Sequence, residues 1–393
     1  MPQTATFPRR YDLDWLRIIA FGLLILYHSG MFYVTWGWHV KSVHAGPGAE
    51  WLMLLLNPWR LALLFFISGV ALRFATDKLG GSKLARDRAV RLGLPILFGM
   101  AVVVAPQSWL QLVESGEFTG SFWQFWPHYL DFGSDFSITT PTWNHLWYVV
   151  YLLVYTLLLA PVAPFLSKLM AGPGERLTSV IFRDRAGVFV LVTVILLPHY
   201  VIQYTLDPLF PTTHALLDDW ANHAHSFTLL LTGFLLAKDR NFWNAVRRAL
   251  PLVLTLAIIL GTAQTWVRFH RDVMSDAAWS VYEAGRTLYA WTAILSLLGL
   301  AQRYLNRPSR ALTYMTEAIF PWYILHQTLT VMAGYWLTRQ GLSVWVEVPL
   351  VILATFGGCA LLHELVIRRV GFLRPLFGLK PMVRVRALPA PAE

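Results

Sequence analysis

The chain has 393 residues, 56% of them hydrophobic and only 14% charged, and a formal net charge of +10. Soluble globular domains carry nearer a quarter charged residues, so this balance excludes an ordinary soluble domain and indicates a polytopic membrane protein. The positive charge lies in short segments between long apolar runs, the pattern of membrane topology and not of nucleic-acid binding.

The first apolar run, YDLDWLRIIAFGLLILYHSGMFYV, follows Arg9 and Arg10 and superficially resembles a signal peptide. Arg17 and His28 interrupt it and no small-x-small cleavage site follows, so it reads as a retained helix. Arg17 and His28 are eleven residues apart, which returns an α-helix to within roughly 20° of its start, about 16 Å further along. They therefore share a face, with Asp14 one turn before Arg17 near the same stripe. Ionisable groups in hydrocarbon cost a few kcal/mol or more each and usually face a polar cavity. Arg17 alone is equally read as an interfacial anchor.

Ten spans follow in order, at 15–35, 50–72, 91–111, 144–165, 187–205, 222–237, 248–267, 285–303, 311–337 and 344–367. Eighteen Trp and fifteen Tyr suit aromatic belts at their ends. The second connection carries Arg73, Lys78, Lys83, Arg86, Arg88 and Arg91, and the fourth, sixth, eighth and the tail are also basic. The third (112–143) and fifth (206–221) hold no Lys or Arg. The positive-inside rule then places both termini in the cytoplasm, with Arg268, Arg271 and Arg286 as the imperfection outside. The expected fold is an all-α membrane helix bundle over residues 1–380, followed by a disordered Pro/Ala tail at 381–393. No inverted repeat of the transporter kind is visible.

The basic run RDRAVRLGLP, Arg86 to Pro95, reads either as ordinary positive-inside charge or as a phosphate site, since Arg forks suit phosphates. No GxxxxGK[ST] or GxGxxG occurs. The long third connection, with Glu114, Glu117, Trp123, Trp126, Asp131, Asp135 and Trp143, is either a sugar-contacting platform or a segment lying on the membrane. Ser68 in FFISG reads as close helix packing before nucleophile. Asn144 and His145 open the fourth span, followed by Trp147 and Tyr148; Tyr323 and His326 lie in FPWYILHQTLTV of the ninth. Glu317 is nine residues before His326 and points to the opposite face of an ideal helix. His28 and His326 are placed to converge on one cavity, where a neutral imidazole suits general-base work and Asn144, His145, Tyr148 or Tyr323 suit an oxyanion. The lone Cys359 lies in an apolar stretch and rules out an intrachain disulfide and a cysteine-based metal cluster, so no metal is expected.

YDLDWLR with the R-x10-H of Arg17 and His28, FFISGVALRF, RDRAVRLGLP, NHLWYVVYLLVY and PWYILHQ together resemble, in order, the acyltransferase 3 family of integral-membrane acyltransferases. The resemblance implies a ten- or eleven-helix bundle in the bacterial inner membrane. It would move an acetyl or succinyl group from cytoplasmic acyl-CoA to an extracytoplasmic sugar hydroxyl, such as that of a periplasmic glucan. It implies Arg17 and His28 as the important pair, Arg86, Arg88 and Arg91 near CoA, and His326 as the late-helix histidine. The absence of an appended esterase-like domain implies that the membrane part completes the transfer, with partners in glycan synthesis possible. Asn144, His145, Trp147 and Tyr323 are the expected substrate contacts. A succinyl donor would want a further cation near His28, and no span offers an obvious one. The competing reading is a proton-coupled transporter or flippase using His28, Glu317 and His326 as a relay; a third is a structural membrane partner.

Overall fold

The computed structural model describes residues 9–133 and 135–382, and these contain helices and no strand. The expected tail, 381–393, lies outside them apart from its first two residues. In chain order the helices are α1 (Tyr11–Met31), α2 (Glu50–Leu56), α3 (Arg60–Leu79), α4 (Gly81–Phe98), α5 (Ala105–Glu114), α6 (Phe122–Leu130), α7 (Trp147–Leu159), α8 (Ala163–Leu169) and α9 (Glu175–Ile181). They continue with α10 (Arg185–Val192), α11 (Leu197–Thr205), α12 (Trp220–Leu236), α13 (Arg240–Phe269), α14 (Asp276–Tyr304), α15 (Arg310–Leu337), α16 (Val344–Leu362) and α17 (Leu373–Leu376).

Among the described residues six segments are long and apolar enough to cross a membrane: Tyr11–Met31, Pro47–Leu79, Gly81–Glu114, Arg185–Thr205, Arg240–Phe269 and Val344–Ile367. A seventh is the pair Asn144–Leu159 and Ala163–Ile181, bent by 71°. Three more helices stand in the same bundle: α12 has 17 residues, α14 has 29 and α15 has 28. Asp276, Glu283, Arg286 and Arg303 lower the apolarity of α14, and Arg310 and Glu317 that of α15.

Several apolar runs that read as single helices are broken. Asn57–Trp59 is a turn between α2 and α3, and Gly99–Val103 is a π turn between α4 and α5. The π turn shifts the backbone register, and Pro106, lacking an N–H, follows it. Carbonyls released there accept from side chains instead: Met100 from Tyr129 at 2.7 Å, Ala101 from Trp126 at 2.7 Å, and Val103 from Thr328 at 2.5 Å. The aromatic third connection is thereby tied to the bundle. Its helix α6 begins with a Ser121–Gln124 capping box, and Phe125 and Tyr129 are buried against Ala105 and Leu112.

The close helix pairs are α3 with α12, α13 with α14, α15 with α16, α1 with α15 and α4 with α7. Gly69 and Gly233 set the first of these. A Cβ on Gly69 would intrude on the Leu230 carbonyl, and one on Gly233 on that of Phe66. Ser68, beside Gly69, hydrogen-bonds the Tyr148 hydroxyl at 2.7 Å, in keeping with a packing role. Helices α1, α3, α7, α11, α12, α14 and α15 leave between them one cavity of about 1220 Å³.

Candidate active site

His28 is on the last turn of α1 and His326 in the middle of α15. Their rings stack at 5.0 Å with 5° between planes, and His28 Nδ1 lies 2.7 Å from His326 Nε2. The other nitrogen of His326, Nδ1, is 2.6 Å from the Tyr323 carbonyl. A carbonyl only accepts, so with both rings neutral His326 Nδ1 carries its proton and Nε2 offers a lone pair. His28 must then donate through Nδ1. This leaves His28 Nε2 as a lone pair with no protein partner among the described residues, on a ring that lines the cavity. The arrangement has the logic of a general base held in one tautomer by a second group, with an imidazole in the place of a carboxylate.

His145 stands edge-on to both rings, at 6.5 Å from His28 and 5.0 Å from His326. Its Nε2 donates to the Ile324 carbonyl at 3.0 Å, so its proton is committed. The Tyr323 hydroxyl donates to the His145 carbonyl, and the Tyr148 hydroxyl is held by Ser68 and by the Leu64 carbonyl at 3.3 Å. Of the four groups expected to steady an oxyanion, only Asn144 keeps an uncommitted N–H; its amide spends one on Gln107 at 3.1 Å. Asn144 has a φ of 39°, in the left-handed region, a strained placement of the kind found at functional sites.

Behind this wall runs a polar network that sequence reasoning did not find. Gln327 donates to Gln107 at 3.0 Å and to His39 Nε2 at 2.9 Å. Gln107 in turn donates to Thr328 at 2.7 Å, and His39 Nδ1 to Gln111 at 2.5 Å. Burial pushes His39 below its usual pKa and the Gln111 hydrogen bond opposes the shift.

Arg60 is the larger omission. It lies in what read as an apolar span, yet it is 6% exposed and lines the cavity. Its guanidinium sits 3.4 Å from the Tyr27 ring centroid and donates to Asn57 at 2.6 Å. Among the described residues no carboxylate pairs with it, and its Nε has no partner. The sequence signal was present: one cation ten residues into the Glu50–Ile67 stretch. The expectation that no span offers a cation near His28 is corrected by this residue.

Arg17 is not in the cavity. It shares the α1 stripe with His28, but Phe21 and Leu24 lie between them, and Phe21 packs on Tyr148 at 6.0 Å and Tyr323 at 5.0 Å. Arg17 instead lies 3.9 Å from Asp14 and in electrostatic reach of Arg91, which also neighbours Arg88. Arg88 is half-buried beside Asp87 at 3.8 Å, while Arg86 and Arg91 are exposed. Among the described residues the buried Nε atoms of Arg17 and Arg88 have no hydrogen-bond partner. Glu317 does not join the histidines: it pairs with Arg368 at 3.4 Å and Arg374 at 3.7 Å. Trp147 reaches the cavity with His214 stacked on it at 4.2 Å, and Trp143 lines it too. Trp123 and Trp126 do not line it.

A bundle of helices of membrane length with a stacked histidine pair at a large cavity has the build of an integral-membrane enzyme. The family model of the acyltransferase domain matches residues 10–364, and the chain belongs to that family, acyltransferase 3. It is similar to glucans biosynthesis protein C of Salmonella schwarzengrund, at 23% identity over 389 residues and 96% of both chains. The proteins of that name from Salmonella heidelberg and Salmonella typhimurium are each 24% identical over 389 residues, again 96% of both chains. No solved structure matches the chain.

Proposed function

We propose that this acyltransferase moves an acyl group from cytoplasmic acyl-CoA to a hydroxyl of an extracytoplasmic glycan, in the manner the name of its glucan-biosynthesis relatives suggests. The observation that carries the reading is the chain from the Tyr323 carbonyl through His326 to His28, which ends in a free Nε2 at the cavity. The acceptor hydroxyl loses its proton to His28 Nε2 as its oxygen attacks the thioester carbonyl. The tetrahedral oxyanion leans on the free Asn144 N–H. It collapses by expelling the CoA thiolate, which takes up the proton, leaving an ester and free thiol.

The donor end fits the other terminus of α1. Arg17, Arg88 and Arg91 form a cationic group with two orphaned Nε atoms, suited to the phosphates of CoA, with Arg86 exposed beside them. Phe21, Tyr148 and Tyr323 stand between that group and His28, so these rings must part for the thioester to arrive. In this reading α12, α14, α15 and the bent Asn144–Ile181 pair cross an inner membrane together with the six apolar segments, ten crossings in all, and the basic even connections support cytoplasmic termini.

Arg60 supports succinyl over acetyl as the transferred group. A buried cation lacking a carboxylate is costly, and a donor carrying its own carboxylate would supply one. Transfer of radiolabelled acyl groups from acyl-CoA to glucans, by purified protein in vesicles, tests the reading. His28→Ala should lower the rate by about 10²–10⁴-fold, the usual span for a general base. Wild-type rates in that variant, at equal protein level, would sink the proposal.

A further inference from the structure

The cavity has a second polar wall, on helices other than the ones that carry His28 and His326. Helix α11 presents His199 and Gln203 at a four-residue spacing, and Asp207 continues the row just past its end. His199 stacks on His225 of α12 at 5.2 Å with 2° between planes, and their Nδ1 atoms are 2.9 Å apart. His225 Nε2 donates to the Asp207 carboxylate at 3.2 Å. With neutral rings His199 therefore donates through Nδ1 and keeps Nε2 as an acceptor. Gln203 accepts from Thr287 at 2.6 Å through Oε1, while its Nε2 is buried with no hydrogen-bond partner among the described residues.

We propose that this row is the docking subsite of the sugar acceptor, an inference that rests on the acyl-transfer reading above. The row offers a lone pair at His199, an unused N–H at Gln203 and carboxylate oxygens at Asp207. Vicinal sugar hydroxyls, each a donor and an acceptor, satisfy such an alternating set; a simple anion or cation does not. Among the described residues no three His, Cys, Asp or Glu side chains converge as metal ligands, and His199 and His225 turn their Nδ1 atoms toward each other. None of the row's hydrogen bonds reaches His28 or His326, so it does not relay their proton.

The mouth supplies the apolar half of sugar recognition. Trp143 donates to the His214 carbonyl at 3.0 Å, and His214 lies on Trp147. His214 has a φ of 59°, held by the buried Asp219 carboxylate, which accepts from the backbone N–H groups of Thr213 and His214 at 3.1 Å each. These flat faces suit sugar C–H groups. At about 1220 Å³ the cavity exceeds the roughly 300–1,000 Å³ of usual small-molecule pockets, giving room for acceptor units beyond the reacting one.

The test separates binding from chemistry. Binding of a soluble glucose oligosaccharide to purified full-length protein is followed by titration calorimetry, alongside acyl transfer, for wild type, Gln203→Leu, His199→Phe and His28→Ala. Gln203→Leu removes the unused N–H together with the acceptor of the Thr287 hydroxyl, so Thr287→Val, which loses only that hydrogen bond, is the structural control and should bind as wild type does. The expected result is an oligosaccharide Kd and an acceptor KM raised about tenfold in Gln203→Leu and His199→Phe, with His28→Ala binding as wild type does. Wild-type affinity in both wall variants, or no saturable binding by wild type, overturns the subsite. Binding that depends on Gln203 in a protein that transfers no acyl group leaves the subsite standing and overturns the acyl-transfer reading instead.

Discussion

Two stacked histidine pairs face one cavity, and they are close copies in geometry. Ring centroids are 5.0 Å apart in His28–His326 and 5.2 Å in His199–His225, and the N···N distances are 2.7 and 2.9 Å. What differs is where each chain of hydrogen bonds ends. His326 ends on a backbone carbonyl, buried between α1 and α15; His225 ends on Asp207, an exposed carboxylate near the mouth. A carbonyl fixes a tautomer without adding charge, so the first pair leaves one lone pair, His28 Nε2, on a ring that lines the cavity. The second is set among further donors and acceptors and suits holding a ligand. In the proposed function the same pair of side chains serves chemistry or binding according to its last partner.

The sharpest way to break that contrast is to remove the second ring of each pair. His326→Ala leaves His28 Nδ1 without its acceptor, so the base is free to rotate and to adopt the wrong tautomer. We expect kcat to fall by about 10²-fold or more with little change in donor KM, and His326→Gln, which keeps an acceptor oxygen, to recover part of it. His199→Phe should act on acceptor KM instead. Equal falls in kcat for the two variants, measured by acyl transfer, would erase the distinction.

Arg60 gives the next effect, because it lies in electrostatic reach of both His28 and His214, one on the first wall and one at the mouth. Arg60→Met should lower transfer from a carboxylate-bearing acyl-CoA by roughly 10–100-fold, the worth of a charge-assisted hydrogen bond, while sparing acetyl-CoA. Competition between succinyl-CoA and acetyl-CoA in one reaction reads this directly. An unchanged preference would remove Arg60 from donor recognition.

The apolar runs announced the helices, and the shared face of Arg17 and His28 followed from helical periodicity alone. What periodicity could not show was which side chains fill that face. Phe21 and Leu24 occupy it between the two, so Arg17 joins the arginines of α4 while His28 joins His326. The breaks at Asn57–Trp59 and Gly99–Val103 were equally hidden, because hydrophobicity runs through both. Arg60 was overlooked for a related reason: it follows the first break, where it begins α3, and turns toward the cavity. The commitment of Tyr323, Tyr148 and His145 to protein carbonyls is a tertiary fact, and no spacing in the chain encodes it.

The smallest effect concerns the network behind the His28–His326 pair. His39 accepts from Gln327 at Nε2, so a proton there would set two donors against each other. Burial, opposed by the Gln111 hydrogen bond, holds its folded pKa below the ordinary 6.5. An unfolded histidine takes up a proton as pH falls through about 6.5, whereas folded His39 does so only at lower pH. The contribution of His39 to stability is therefore complete above about 6.5 and is lost progressively as pH falls from there toward the folded value. His39→Asn should start from a lower melting temperature at pH 7 and lose less of it on acidification to pH 5 than wild type does. Because His39 reaches Asn144 through Gln327 and Gln107, the same acidification should weaken transfer more than oligosaccharide binding at the far wall. Parallel losses of transfer and binding would mean that the two walls of the cavity loosen together.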